Sequence, residues 1–147
     1  MFRFILSTLL SVVLVFHVQA QNAESHPREQ EAISFVTDWL NLIEDQNVSD
    51  SYTMVSDQFI GSEAQWHESV TSDVESLGSL ISRKFIRSVA YIDPPNAPQK
   101  GLYVAIEFNS VYKQARKHFQ YIIVHSENGE PFKINNRQVN VLALPAE

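Results

Sequence analysis

The residues best equipped for chemistry are basic, and they come in two clusters. Arg83, Lys84 and Arg87 lie within five positions, and Lys113, Arg116 and Lys117 within another five. Cations grouped in this way recognise carboxylates, phosphates or an acidic protein surface. Arg83 and Arg87 have the same parity as Phe85, Val89 and Tyr91. If that face is the core face, Arg87 is partly buried and needs a carboxylate or a ligand anion beside it. The plainer alternative pairs some of these cations with acidic helices and leaves the rest in water.

Other chemistries have weaker signals. His118 and His125 are seven positions apart, so one continuous strand turns them to opposite sides. No histidine makes an i, i+4 pair with another, so a metal site needs ligands from distant segments. No metal or other cofactor is expected. Glu63 and His67 are spaced i, i+4, which suits an acid–base pair and equally a solvated surface pair. There is no Gly-x-Ser-x-Gly elbow, no glycine-rich phosphate loop and no cysteine nucleophile. An enzymatic reading would have to bring Tyr103, Glu107, His67 and Arg87 into one enclosed cavity. Tyr103 and Tyr121 carry phenols that need partners and suit a pocket between sheet and helices.

The elements that position these residues follow from apolar spacing. Ala32, Val36, Trp39, Leu40 and Ile43 form a helical stripe over 29–46. Tyr52, Val55 and Phe59 predict a shorter helix over about 49–58. Ser62 and Gln65 have capping-box spacing and open a third helix with the stripe Trp66, Val70, Val74, Leu77. Trp39 and Trp66 are read as core. Gly78 ends that helix, and the period then becomes two. Strands are predicted over 83–92, around 102–109, over 119–124 and from Phe132 through Val141. The run 93–98 contains three prolines and must be a loop. Lys113–Lys117 reads as a polar hairpin tip, and Asn128-Gly129 as a tight hairpin turn. A slip of phase between Ile134 and Val139 predicts a bulge near Asn135-Asn136. Three helices followed by four antiparallel strands specify an α+β fold with helices packed on one face of the sheet.

Composition sets the context. The 147 residues carry 17 acidic and 11 basic groups, a formal charge of -6. Residues 21–78 hold twelve acidic groups against Arg28 alone, while residues 79–147 hold five acidic and nine basic groups. The sign changes at Gly78, where helix gives way to strand. An acidic total argues against general nucleic-acid binding. Met1-Phe2-Arg3, the apolar run Phe4–Phe16 and Val18-Gln19-Ala20 have the pattern of a cleavable export signal. The expected organisation is a signal over 1–20, a flexible leader over 21–28 and one domain over 29–147. The expected location is periplasmic or secreted, with no stable membrane insertion after cleavage.

Trp39, Trp66, Leu77-Gly78, Ser82-Arg83, Pro95-Asn96-Ala97-Pro98 and Gly101-Leu102-Tyr103-Val104 occur in an order that resembles a family of exported bacterial proteins, domain of unknown function 4019. The resemblance implies a small domain with a curved sheet, cystatin-like or similar to nuclear transport factor 2. It implies no activity and carries over no catalytic residue. The expected role is a non-enzymatic binding or accessory module of the bacterial envelope. Its partner would be a protein or a small anionic ligand, met through Arg83, Arg87, Tyr103, Lys113, Arg116 and Lys117. The competing expectation is an enzyme with a small pocket between helices and sheet.

Overall fold

Residues 25–58, 61–114 and 117–142 are described by the structure, a computed structural model. Its order is α1 (Glu29–Glu44), α2 (Val48–Thr53), α3 (Glu63–Leu77), β1 (Leu80–Ile92), β2 (Leu102–Tyr112), β3 (Lys117–Ser126) and β4 (Lys133–Leu142). Helix α1 buries Ala32, Val36, Trp39, Leu40 and Ile43, the stripe its spacing dictates. Helix α3 starts in a complete capping box, with Ser62 and Gln65 each satisfying the other's backbone N–H. It ends where the Gly78 N–H reaches the Val74 carbonyl, at 3.0 Å. Helix α2 stops at Thr53, five residues before the expected Gln58. The chain leaves the helix there to meet β4. Ile134 N–H donates to the Met54 carbonyl, and Ser56 N–H to the Ile134 carbonyl.

The strands form one antiparallel sheet in the order β1-β2-β3-β4. Its inward face presents Leu102, Val104, Ile106 and Phe108 from β2, and Ile122 and Val124 from β3. These pack on α1 and on the stacked Trp39 and Trp66 rings, whose centroids are 5.6 Å apart. Trp39 donates its indole N–H to the Ser51 carbonyl, and Trp66 donates to Ser51 Oγ. Both tryptophans are core, as their stripes require. Among the described residues no helix is long and apolar enough to cross a membrane.

Besides a register shift at Ile81, between Leu80↔Tyr112 and Ser82↔Val111, two bulges bend the sheet and reset which side chains point inward. One is at Ile86, between the pairs Phe85↔Phe108 and Arg87↔Glu107. The other is at Asn135, between Ile123↔Asn136 and Val124↔Ile134, where the phase slip had placed it. The first corrects the expectation that Arg83 and Arg87 share a face. Arg83 and Phe85 pair with Ser110 and Phe108 on the inward side, while Arg87, Val89 and Tyr91 pair with Glu107, Ala105 and Tyr103 on the outward side.

Charge crosses from helices to sheet inside the molecule. Arg83 Nη2 lies 2.6 Å from Glu44 Oε1, with side-chain exposures of 8% and 17%. Tyr112 donates to the same Glu44 oxygen at 2.7 Å, and Gln120 donates to the Tyr112 oxygen at 3.0 Å. Burial first, and then the Glu44 hydrogen bond, raises the Tyr112 phenol above its ordinary pKa. At the start of α1, Arg28 pairs with Glu31, donates to Ser126 Oγ and stacks 4.4 Å above the Phe132 ring. This contact fixes the entry of α1 against the β3–β4 end of the sheet.

Candidate functional site

The Asn135 bulge has a chemical consequence. Ile134 faces inward, Asn135 is the extra residue, and Arg137 and Val139 then take the inward positions opposite Ile122 and Gln120. Arg137 is thereby driven under the helical layer, with only 8% of its side chain exposed. Helix α3 supplies the facing wall. Trp66, Ser69 and Asp73 follow i, i+3, i+7 spacing and lie on one helical face. Together with Tyr52 from α2 they enclose a hollow of about 410 Å³, large enough for a small organic ligand.

The polar groups of this hollow are unevenly satisfied. Arg137 Nη1 donates to Asp73 Oδ2 at 3.0 Å. The guanidinium carbon sits 6.0 Å from the Trp39 ring centroid, at the limit of cation–π attraction. Nε, on the other edge of the fork, is buried and has no hydrogen-bond partner among the described residues. A buried donor left unmade costs about 1–3 kcal/mol, more when charged. A fork edge of this kind fits a carboxylate or phosphate with two parallel hydrogen bonds. Apolar surface from Trp66, Tyr52 and Val139 lies beside it.

A second hollow of about 710 Å³ lies between the α2 exit and the β3–β4 turn. Asp57, Glu127, Glu130, His125 and Lys133 contribute to its lining. Lys133 Nζ donates to the Thr53 carbonyl, and His125 Nε2 contacts the Lys100 carbonyl at 2.9 Å. Its principal side chains are thus engaged with backbone, and its carboxylates disfavour an anion. Among the described residues no three His, Asp or Glu side chains gather in a metal-binding group.

The residues singled out from sequence do not converge. Arg83 is inward but committed to Glu44. Arg87 is 69% exposed on the outward face, 2.6 Å from Glu107. Tyr103 is buried, yet on the outward face rather than between sheet and helices. It stacks on His125 at 4.4 Å and donates to the Gln99 carbonyl. That contact holds the 93–101 loop against the sheet, where Gly101 crosses β3. A Cβ there would fall 2.5 Å from the Ser126 carbonyl oxygen. Lys113 is exposed beyond β2, Lys117 opens β3 opposite Leu142, and Arg116 lies outside the described residues. His67 is exposed on α3, with Nδ1 3.5 Å from Thr71 Oγ1. The enzymatic set Tyr103, Glu107, His67 and Arg87 is therefore spread over the outward sheet face and a helix surface. The expected export signal, 1–20, lies outside the described residues.

Arg137 was the residue that sequence reasoning missed. Its signal was present, because Arg137 has the parity of Val139 and Val141, the apolar positions beyond the predicted slip of phase.

Comparison with known proteins places the fold and leaves activity open. The solved structure of Bdellovibrio bacteriovorus Bd1075 is similar, with a TM-score of 0.53 and 14% identity. The match covers 78% of this chain and 42% of that one, so the chain spans less than half of that protein. At this identity the likeness is one of fold alone. No curated protein is found to match the chain in sequence. A family model does match over residues 35–136, most of the helical and sheet elements just described. The chain belongs to that family, described as proteins of unknown function, DUF4019.

Proposed function

We propose that this chain is an exported, non-catalytic binding module that takes a small organic anion in the hollow between α3 and β4. The observation that carries this reading is the buried Nε of Arg137, which has no protein acceptor among the described residues. The ligand is a carboxylate or phosphate ester with an apolar part. Its anionic group takes the free edge of the Arg137 fork, and its apolar part lies along Trp66 and Val139. Asp73 holds Nη1 of the same guanidinium, and Arg137 lines the hollow. The curved sheet with a hollow under its helices suits the cystatin-like or nuclear-transport-factor-2-like shapes, which serve many functions. Export rests on the charge and apolar pattern of residues 1–20.

The test is thermal unfolding and calorimetry with a panel of small aliphatic and aromatic carboxylates and phosphate monoesters. A ligand at about one hundred times its Kd stabilises by about 2.7 kcal/mol, a shift of several degrees. Arg137→Gln abolishes that shift and keeps the fold. Equal stabilisation of the variant, or no response of the wild type to any anion in the panel, would refute the reading. Mass spectrometry of the processed chain, expected to begin at Gln21 or its pyroglutamate form, checks export.

A further inference from the structure

The opposite edge of the sheet carries a different feature. The six large hydrophobic residues that are exposed among the described residues are Ile81, Phe85, Ile86, Val89, Tyr91 and Ile92. All lie on β1, the terminal strand of the sheet. They project from both faces of it: Phe85 and Ile92 on the inward side, Val89 and Tyr91 on the outward side. A strand that is apolar on both faces is built like an interior strand. Thirteen residues is long for an edge, and edges are ordinarily shortened, charged or covered. The other edge shows that treatment. Strand β4 carries Asn136, Gln138 and Asn140, and its start is bridged to Val55.

We propose that β1 pairs antiparallel with β1 of a second copy, joining two sheets into one of eight strands. This inference is independent of the Arg137 hollow, which lies across the sheet at β4.

Charge selects a second copy over an acidic strand. Strand β1 bears three cations and no carboxylate. Two of them are already neutralised within the subunit, Arg83 by Glu44 and Arg87 by Glu107. Lys84 alone is left, too little to select an acidic partner and little obstacle to self-pairing. The Ile86 bulge also fixes a register. Residues before it face inward at Arg83 and Phe85, and residues after it at Ser88 and Ala90. Setting Phe85 opposite Ser88 of the other copy therefore keeps inward positions opposite inward ones from Arg83 to Ala90. Ile81 then meets Ile92, and the two Lys84 are about 16 Å apart along the strands, beyond the Debye length of about 8 Å. Two-fold symmetry makes the contact self-complementary.

The area is sufficient. The six residues expose the equivalent of about three whole residues, or roughly 450–750 Å² per copy at about 150–250 Å² each. Divided between the two faces of the strand, that is comparable with a monomer's largest apolar patch, about 300–600 Å². Two copies have at most roughly 900–1,500 Å² of this side-chain area to cover, a range that spans the lower bound of stable interfaces before backbone is counted.

The experiment is sedimentation equilibrium on the chain as processed by an exporting host. The expected mass is twice that of one chain, dissociating on dilution. Val89→Lys and Ile92→Lys each raise the dissociation constant by about tenfold or more, with unchanged circular dichroism. The chain has no cysteine, so engineered ones report cleanly. The double variant Ile81→Cys/Ile92→Cys oxidises to a covalent dimer, and neither single variant does. A monomer at every concentration would overturn the proposal, as would a dimer unaffected by both lysines. So would a covalent dimer from either single cysteine.

Discussion

Removing one carboxylate tests how the helices and sheet are joined. Glu44→Ala deletes the acceptor shared by Arg83 and Tyr112. The guanidinium that remains is 8% exposed and, among the described residues, keeps Ser110 Oγ at 3.3 Å and the Tyr112 oxygen at 3.5 Å. An uncompensated buried charge of this kind costs about 3–5 kcal/mol. Glu107→Ala is the matched control. Its pair with Arg87 has the same 2.6 Å length, and Glu107 is 21% exposed, close to the 17% of Glu44. The arginine left behind differs: Arg87 is 69% exposed and is hydrated at once. That change therefore costs no more than about 1 kcal/mol. Urea unfolding followed by tryptophan fluorescence measures both. With a slope of about 2 kcal/mol/M, the midpoint falls by about 1.5–2.5 M for Glu44→Ala and by less than about 0.5 M for Glu107→Ala. The double variant Glu44→Leu/Arg83→Met restores most of the loss, because an apolar pair has nothing to desolvate. Equal costs for the two single variants would refute the reasoning, since burial of the orphaned arginine, and of the Tyr112 hydroxyl that loses the same acceptor, is what separates them.

Other consequences are open to the same measurements. Burial and the Glu44 hydrogen bond raise the Tyr112 phenol above 10.0, so its contribution is complete below about pH 10. It is lost as pH rises through the folded value, because the unfolded chain releases that proton first. Tyr112→Phe flattens the fall in urea midpoint above pH 10, and an unchanged slope would remove Tyr112 as its source. Gly101→Ala drives a Cβ to 2.5 Å from the Ser126 oxygen at a φ of 131°, for a loss of about 2–4 kcal/mol. Gly129→Ala, with φ of 80° and no atom within 4 Å, loses about 1–2 kcal/mol, so similar thermal midpoints would discount the close approach at Gly101. Arg137→Met keeps stability within about 1 kcal/mol or raises it, because Asp73 is 36% exposed and can be hydrated. A loss of 3 kcal/mol or more in urea would make Arg137 a structural residue.

Much of the architecture was legible because it rests on periodicity. The stripes of α1 and α3, the Ser62 capping box and the Asn135 slip are local patterns, and each appears where it was read. The length of α2 was not local. Its end is set by Met54 and Ser56 bonding to Ile134, about eighty residues away. Nor was the face of Tyr103, which is settled by the 93–101 loop folding back over the outward side. The Ile86 bulge left a faint trace in the adjacent apolar pair Phe85-Ile86, which alternation alone reads as noise.

These two bulges decide the fate of the arginines, and through it what each can do. Without the Ile86 bulge, Arg87 would share the inward face with Arg83 and would be turned away from Glu107. With it, Arg83 is buried and satisfied, and Arg87 is delivered to water. Without the Asn135 bulge, Asn136 would point under α3 and Arg137 would point outward. With it, a guanidinium enters the core holding one carboxylate and one buried N–H without a protein acceptor among the described residues. A folding role is served by a closed pair such as Arg83–Glu44. An unfinished pair such as Arg137–Asp73 adds cost to the free protein, which binding of an anion would offset. Two pairs, Glu44–Arg83 and Asp73–Arg137, join the acidic helices to the basic sheet, and each forms only when one layer packs on the other.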